Sequence, residues 1–168
     1  MNQRFFISFL CGLILFIAGC GGETKPPGMP ALHKTTLTFT QEGTPLADAV
    51  VTLVPQDAAN SQWPSGGTTN DKGVLQVRTM AKFNGAPAGT FKITVSKTES
   101  EGTATSTSSD EGGGRPVAAG GLKMYHLVDK KYQLATSSDL TLEVKSGTNT
   151  ETFDLGPAIR ELIPVYRD

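Results

Sequence analysis

Short runs of alternating apolar and polar residues, separated by glycine and proline, are the feature that most restricts the fold of this chain. In the clearest run, "TFKITVSK" (90–97), Phe91, Ile93 and Val95 alternate with polar residues. Alternation with period two places the apolar side chains on one face of a β-strand. The same pattern recurs in "TTLTFT" (35–40), "AVVTLVP" (49–55), "VLQVRT" (74–79), "LTLEVKS" (140–146) and "TETFDL" (150–155). We therefore expect about six or seven strands, each with one apolar face.

Strands of this kind bury their apolar faces when two antiparallel sheets pack against each other. We predict an antiparallel β-sandwich of about seven strands over residues 35–155. The 19 glycines, 10 prolines and 7% aromatic residues suit a β domain with many turns. The turn "SGTN" (146–149) predicts a hairpin between the last two strands, and the threonine-rich strand 35–40 is a candidate sheet edge.

The beginning of the chain has the layout of a secretory signal. Arg4 is followed by the apolar run 5–18, which at about 14 residues is too short to span a bilayer in the usual way. Small residues, Ala18 and Gly19, then precede Cys20. A plain signal peptide with an incidental cysteine and an uncleaved anchor remain alternatives on this evidence.

The stretch "FIAGC" resembles the lipobox of bacterial lipoproteins. The resemblance implies that 1–19 is a signal peptide and that the thiol of Cys20 receives a diacylglyceryl group. Cleavage would then leave Cys20 as the acylated N-terminus, and Cys11 would be lost with the signal. Two or three acyl chains hold a protein stably on a membrane. The residue after the cysteine is Gly21 and not Asp, which favours the outer membrane within the cell envelope.

Three further segments are expected outside the strands. Residues 20–34 contain the lipidated cysteine and a flexible proline- and glycine-rich tether. The Ser/Thr/Gly-rich segment 98–121 is expected to be a mobile loop. The tail 156–168 forms either a short helical turn or no fixed structure. Because no cysteine follows Cys20, disulfides cannot stabilise the body of the domain.

Four stretches in order resemble the carboxypeptidase regulatory-like domains, a transthyretin-like group of seven-stranded sandwiches. They are "EGTPLADAVVTLVP" (42–55), "GTTNDKGVLQV" (67–77), "FNGAPAGTFKITV" (83–95) and "VDKKYQLATSSDLTLEV" (128–144). Together with the lipobox and the tether, this order is similar to small lipoproteins of planctomycete-type bacteria. The resemblance covers about 35–155, and it implies a sandwich without catalytic residues of its own.

The sequence offers little for catalysis or for metal binding. A net charge of −1 without a Lys/Arg cluster argues against nucleic acid as a partner. His33 and His126 lack metal-ligand spacing, and "NDKG" (70–73) predicts an Asx turn and not a calcium loop. No G-x-S-x-G motif is present. We therefore predict no enzyme, no cofactor and no metal.

The sequence supports two alternative functions. The first is a monomeric envelope module, bound to the membrane through its lipid, that contacts a protein, a peptide or a glycan. Trp63 is its candidate ligand contact, and the alternative role for Trp63 is to cap one end of the core. The second is a hydrolase of the hydroxyisourate type, whose chains end in Tyr-Arg-Gly-Ser. This chain has Tyr166 and Arg167 but lacks the last two residues of that motif.

Overall fold

A computed structural model describes residues 24–102 and 122–164 of the chain. These residues form an all-β sandwich, so the predicted fold class is confirmed. The strands, numbered in chain order, are β1 (Leu32–Gln41), β2 (Thr44–Pro45), β3 (Val50–Pro55), β4 (Ser65–Thr68), β5 (Val74–Gln76), β6 (Arg78–Thr79), β7 (Phe83–Asn84), β8 (Ala86–Pro87), β9 (Gly89–Ser96), β10 (Thr98–Glu101), β11 (Lys123–His126), β12 (Thr141–Val144), β13 (Thr148–Asp154) and β14 (Glu161–Leu162). Within the same residues, 3₁₀-helical turns span Ala58–Asn60 and Lys130–Tyr132.

The first sheet is built around β1. Strand β13 runs parallel to it, with Lys34 opposite Thr148 and Thr40 opposite Asp154. On its other side β8, β5 and β2 pair antiparallel with its beginning, middle and end. The prediction that 35–40 is a sheet edge is therefore wrong. The alternation of apolar and polar side chains does not show whether a strand lies at the edge of a sheet, because strands pair through their backbone groups.

The second sheet has the order β12–β9–β3–β4–β6–β7. Its centre is the antiparallel pair of β9 and β3, in which Val51 lies opposite Val95 and Leu53 opposite Ile93. The apolar alternation predicted for β9 is confirmed, since Phe91, Ile93 and Val95 are fully buried. The segment 74–79, predicted as one strand, divides at Val77 into β5 of the first sheet and β6 of the second.

The chain changes sheets between β12 and β13. Strand β12 pairs with β9 and β13 pairs with β1, so the hairpin predicted from "SGTN" does not form. Asn149 holds the crossing by accepting a hydrogen bond from the Lys145 N–H at 2.9 Å and donating one to the Lys145 carbonyl at 2.9 Å. The prediction failed because a turn-forming sequence fixes the local bend and not the partner of the strand that follows.

The core lies between the inward faces of these two sheets. Phe39 of β1 stacks on Phe153 of β13 with 5.5 Å between ring centroids. The buried apolar cluster consists of Leu37, Phe39, Leu46, Ala49, Val51, Leu53, Leu75, Val77, Ala86, Phe91, Ile93, Val95, Val128, Tyr132, Leu142, Val144 and Leu155. Both sheets therefore contribute to a single hydrophobic core.

A third sheet, of order β10–β11–β14, continues from the end of β9. The first residues of the segment 98–121, which was predicted to be a loop, form strand β10 of this sheet. The rest of that segment, 103–121, lies outside the described residues. The tail 156–168 was predicted to form either a short helical turn or no fixed structure. It instead contains strand β14, which pairs with β11. At the other end, β1 begins at Leu32 and takes up the last residues assigned to the tether.

Candidate functional site

The structure does not bring the residues that were predicted to matter for function together at one site. Cys20, Tyr166 and Arg167 lie outside the described residues. Trp63 is described, and its side chain is only 7% exposed. That burial favours the capping role of Trp63 over direct contact with a ligand. Its loop is fixed by a hydrogen bond from the Trp63 N–H to the Asn60 carbonyl at 3.0 Å.

The two histidines lie in different sheets. His33 is in β1, where its Nδ1 accepts a hydrogen bond from the Gly147 N–H at 3.2 Å. His126 is in β11 of the third sheet and half-buried, and among the described residues its Nδ1 has no hydrogen-bond partner. Within 24–102 and 122–164 no group of three or more His, Cys, Asp or Glu side chains is arranged to hold a metal ion. In that same part of the chain, no helix has the length and the hydropathy needed to cross a membrane.

The turn "NDKG" is a structural Asx turn, as predicted. Asn70 Oδ1 accepts hydrogen bonds from the N–H groups of Lys72 and Val74, both at 3.0 Å. Gly73 has φ +71, and a Cβ there would lie 2.3 Å from the carbonyl oxygen of Phe39. The oxygen of Asn70 is therefore used in closing the turn against β1.

A groove opens on the flank of the sandwich between β4 and β5, and we call it the β4–β5 groove. Its volume is about 770 Å³. It is lined by Val50, Val51, Thr52, Pro64, Ser65, Gly66, Gly67, Thr68, Leu75, Gln76, Arg78, Met80 and Ala81. Strands of both main sheets form its walls, because the chain crosses from one sheet to the other at Val77.

Backbone pairs hold both ends of β4 to the segment 74–80. The Met80 N–H donates to the Pro64 carbonyl at 2.6 Å, Gly66 pairs with Arg78, and the Asn70 N–H donates to the Val74 carbonyl at 2.9 Å. Alternate residues of a strand direct their backbone groups to the same side.

Thr68 therefore points its N–H and C=O toward the same side as Gly66. Gln76 lies opposite Thr68, and its N–H and C=O also point toward β4, because the bonds to β1 are made at Gly73 and Val77.

The outer face of the second sheet has a hollow beside Arg78. Thr52, Gly66 and Arg78 form one cross-strand row, and residues opposite each other share a face of the sheet. Gly66 contributes no side chain, so the backbone is accessible between its two neighbours. A Cβ at Gly66 would lie 2.2 Å from the Val51 carbonyl oxygen. Glycine is therefore required by the close approach of β3, and the hollow is a consequence of that packing.

The groove combines apolar surface with one cation. Val50 and Met80 are 52% and 45% exposed, which is high for large apolar side chains. Arg78 is exposed, and within the described residues it takes part in no ion pair. The lining contains neither Asp nor Glu. The groove therefore offers a positive charge without an internal counterion.

The rim of the groove carries backbone strain. Met80 and Ala81 have φ values of +55 and +57, a left-handed conformation that favours Gly and Asn. They are the central residues of the β-turn within the three-residue connection between β6 and β7, and the Lys82 N–H closes this turn on the Thr79 carbonyl at 3.2 Å. Strain of this kind persists where surrounding contacts hold it, and it is frequent at binding sites.

A second groove, lined by β12 and β13 on the opposite flank, is polar. Its volume is about 360 Å³. Glu143 and Lys145 lie on it and pair with each other at 3.3 Å. Two of the three charged side chains in its lining therefore already have each other as partners, in contrast to Arg78 of the β4–β5 groove.

The titratable group Asp154, whose pKa is shifted, stabilises the fold through hydrogen bonds. Asp154 accepts hydrogen bonds from the Gly43 N–H at 2.9 Å, the Gly156 N–H at 2.8 Å and the Thr40 hydroxyl at 2.8 Å. These bonds, the one from Gly43 foremost, lower the pKa of Asp154 to about 2. The carboxylate thereby fixes the β1–β2 turn, whose Glu42 has φ +48.

On the third sheet, Arg160 lies over the ring of Tyr125, with its guanidinium carbon 3.5 Å from the ring centroid. It donates to Glu101 at 2.6 Å and to Glu99 at 3.3 Å. The hydrogen bond from Arg160 lowers the pKa of Glu101. This cluster joins β14 to the edge of the sheet, so its charges are satisfied by each other.

A scan against protein-family models finds no match for this chain, and searches among curated proteins and solved structures find none either.

The sequence analysis did not find the β4–β5 groove. Two signals could have pointed to it. The pair Gly66-Gly67 inside a strand marks a site of close backbone approach, and Met80-Ala81 occupies a turn position without Gly or Asn. Neither signal shows that Arg78 lies beside the hollow.

Proposed function

We propose that this protein is a lipid-anchored lipoprotein of the bacterial cell envelope whose β-sandwich is a non-catalytic binding module. The lipobox-like sequence ending at Cys20 supports the anchor. The observation that carries the binding role is the β4–β5 groove, which joins exposed apolar side chains and Arg78, a cation that makes no ion pair within the described residues. Groups left unmatched within a fold are those that a ligand can satisfy.

The proposal places the sandwich outside the cytoplasm, on a short tether that follows Cys20. We expect the sandwich to bind an envelope protein, a peptide or a glycan. The lipid on Cys20 would insert into a membrane of the envelope, for which the outer membrane is favoured. The likeness to carboxypeptidase regulatory-like and transthyretin-like sandwiches, drawn from the order of turn motifs, supports a module that binds without catalysis. We expect the domain to act as a monomer.

The anchor is tested by intact-mass spectrometry of the protein extracted from its native membrane, with Cys20→Ser as the matched control. We expect a mature mass that begins at Cys20 and includes diacylglyceryl and acyl groups. Cys20→Ser should keep its signal segment and lack the lipid. An unlipidated mass for the wild-type protein would contradict the anchor.

The binding role is tested by capture from envelope fractions. Wild-type protein, purified in detergent with its lipid, should retain a specific envelope component that a denatured sample does not retain.

The absence of catalysis is tested by offering hydroxyisourate to wild-type and His126→Ala protein. We expect no hydrolysis above the uncatalysed rate for either; turnover lost in His126→Ala would favour the hydrolase alternative.

A further inference from the structure

We propose that the free edge of strand β13 receives an extended segment of a partner protein, which joins the first sheet as an added strand and carries Lys or Arg at alternate positions. This edge lies on the flank opposite the β4–β5 groove, and the inference is independent of the binding role proposed for that groove. Three features of the flank support it: its free backbone groups, its open space and its unpaired negative charge.

The backbone groups of β13 point alternately toward β1 and away from it. The Leu155 N–H donates to the Thr40 carbonyl at 2.8 Å. Together with the parallel register, this bond directs the odd-numbered residues of β13 toward β1. The N–H and C=O groups of Thr148, Thr150 and Thr152 therefore point away from β1, and within the described residues no strand pairs with them.

Strand β13 is the longest free edge strand in the described part of the chain. Its seven residues, Thr148–Asp154, pair with β1 without a bulge. The other terminal strands are two to four residues long, namely β2, β5, β7, β8, β10, β12 and β14. Proteins protect sheet edges with short strands, proline, lysine and bulges, and β13 has none of these. A long and regular edge is a template for an added strand.

Open space adjoins this edge. Thr148, Thr150, Glu151 and Thr152 are exposed, and the next strand on this flank, β12, belongs to the second sheet, where it pairs with β9. Between β12 and β13 lies the second groove, of about 360 Å³. A strand added to β13 would extend the first sheet over this groove. Its inward side chains would then enter the groove, because side chains alternate between the two faces of a sheet.

The charge of the second groove selects a basic segment. Glu151 faces the core side of β13, because Phe153, two residues further on, stacks on the buried ring of Phe39. Glu143 and Lys145 pair with each other at 3.3 Å, whereas Glu151 makes no ion pair within the described residues. An inward-pointing charge on an edge strand rejects apolar partners. A Lys or Arg opposite Glu151 offsets that charge, since oppositely charged cross-strand pairs are stabilising.

The outer face of β13 selects β-branched side chains. Thr150 and Thr152 lie beside Thr36 and Thr38 of β1. Threonine pairs across neighbouring strands stabilise a sheet, and β-branched side chains suit its pleated surface. We therefore expect Thr or Val on the outer face of the added strand, alternating with Lys or Arg on its inner face.

Amide hydrogen exchange followed by NMR tests the edge itself. The experiment uses full-length lipidated protein in detergent and a peptide of alternating Thr and Lys, about ten residues long. In the protein alone, we expect fast exchange at Thr150 and Thr152 and slow exchange at Glu151 and Phe153, whose N–H groups point to β1. The peptide should slow exchange at Thr150 and Thr152 by about tenfold or more.

Fluorescence anisotropy with labelled peptides tests the selectivity. The Thr–Lys peptide should bind more tightly than a Thr–Glu peptide of the same length by about fivefold or more, because like charges opposite each other destabilise a strand pair. Glu151→Lys should reverse this preference. Asp71→Lys is the matched control, because it makes the same charge change at an exposed turn outside this flank, and it should keep the preference of the wild type.

A proline tests whether backbone pairing holds the peptide. Thr150→Pro removes an outward N–H and no bond to β1, and proline is tolerated at such positions of edge strands. It should weaken binding of the Thr–Lys peptide by about fivefold or more. Ser100→Pro makes the equivalent change on β10, where Ser100 points away from β11, and it should bind as the wild type does. Circular dichroism confirms that each variant is folded.

Slowed exchange at Thr150 and Thr152 on adding the peptide, together with a charge preference that Glu151→Lys reverses, would support the proposal. Exchange that the peptide leaves unchanged, or a preference that Glu151→Lys leaves unchanged, would overturn it. Slow exchange at Thr150 and Thr152 in the protein alone would overturn it as well. In that case sedimentation shows what covers the edge: a second copy if the protein is a dimer, and a segment of the same chain if it is a monomer.

Discussion

Removing the hydroxyl of Thr79 tests how the turn beside the groove is held. Thr79 is fully buried in β6, and its Oγ1 donates to the Gly85 carbonyl at 2.8 Å. It also lies 2.9 Å from Ser65 Oγ, and either hydroxyl can be the donor of that contact. Ser65 Oγ in turn contacts the Trp63 carbonyl at 3.1 Å. The network thus links β4, β6, the residues after β7 and the Trp63 loop.

Thr79→Val keeps the shape of the side chain and leaves the Gly85 carbonyl without this donor in a buried place. Leaving one buried polar group unsatisfied costs about 1–3 kcal/mol. For a domain of about 120 residues, the unfolding entropy is about 0.25 kcal/mol/K. The midpoint of thermal unfolding should therefore fall by about 4–12 °C.

Urea unfolding followed by circular dichroism measures the free energy, and a thermal scan measures the midpoint. Thr94→Val is the matched control: it makes the same change on the outer face of β9, where Thr94 is half-buried, and it should shift the free energy by less than about 0.5 kcal/mol. The reasoning is refuted if Thr79→Val is as stable as the wild type. It is also refuted if Thr94→Val loses as much stability as Thr79→Val does.

Three other changes have defined outcomes. Phe91→Ala removes a fully buried ring and should cost about 3–5 kcal/mol in urea unfolding; a cost below about 1 kcal/mol would contradict the assigned core. Gly66→Ala places a Cβ 2.2 Å from the Val51 carbonyl oxygen and should destabilise the sandwich by about 1–3 kcal/mol, read from the same unfolding curves. Because the pKa of Asp154 is about 2 in the folded protein, below its ordinary value of 3.8, its carboxylate stabilises the fold above about pH 4, and this stabilisation is lost as the pH falls toward 2. Asp154→Asn should therefore lower the thermal midpoint at pH 7 and leave it unchanged near pH 2, and an equal effect at both pH values would show that the charge is not responsible.

The candidate site was less predictable than the core, and Trp63 and Arg78 show why. Trp63 is the only tryptophan of the chain and lies in a polar loop, which suits either ligand contact or capping of the core, and only the fold shows that it is buried. Arg78 occupies an ordinary polar position of an alternating strand. Its place beside a hollow depends on Gly66 lying opposite it on β4. Sequence gives no measure of that neighbour relation, because the two residues belong to strands that pair only in the folded state.

Sequence pattern alone is enough to predict the all-β class, the buried positions of β9 and the Asx turn at Asn70. These features depend on the local period of the chain and on the backbone preferences of single residues. The tertiary structure decided the central place of β1, the parallel pairing of β13 and the sheet crossings at Val77 and Asn149. Strand order is decided by which backbone edges meet when the core closes, and different orders can bury the same apolar faces. The β4–β5 groove arises from one of those crossings, so only the folded chain contains it.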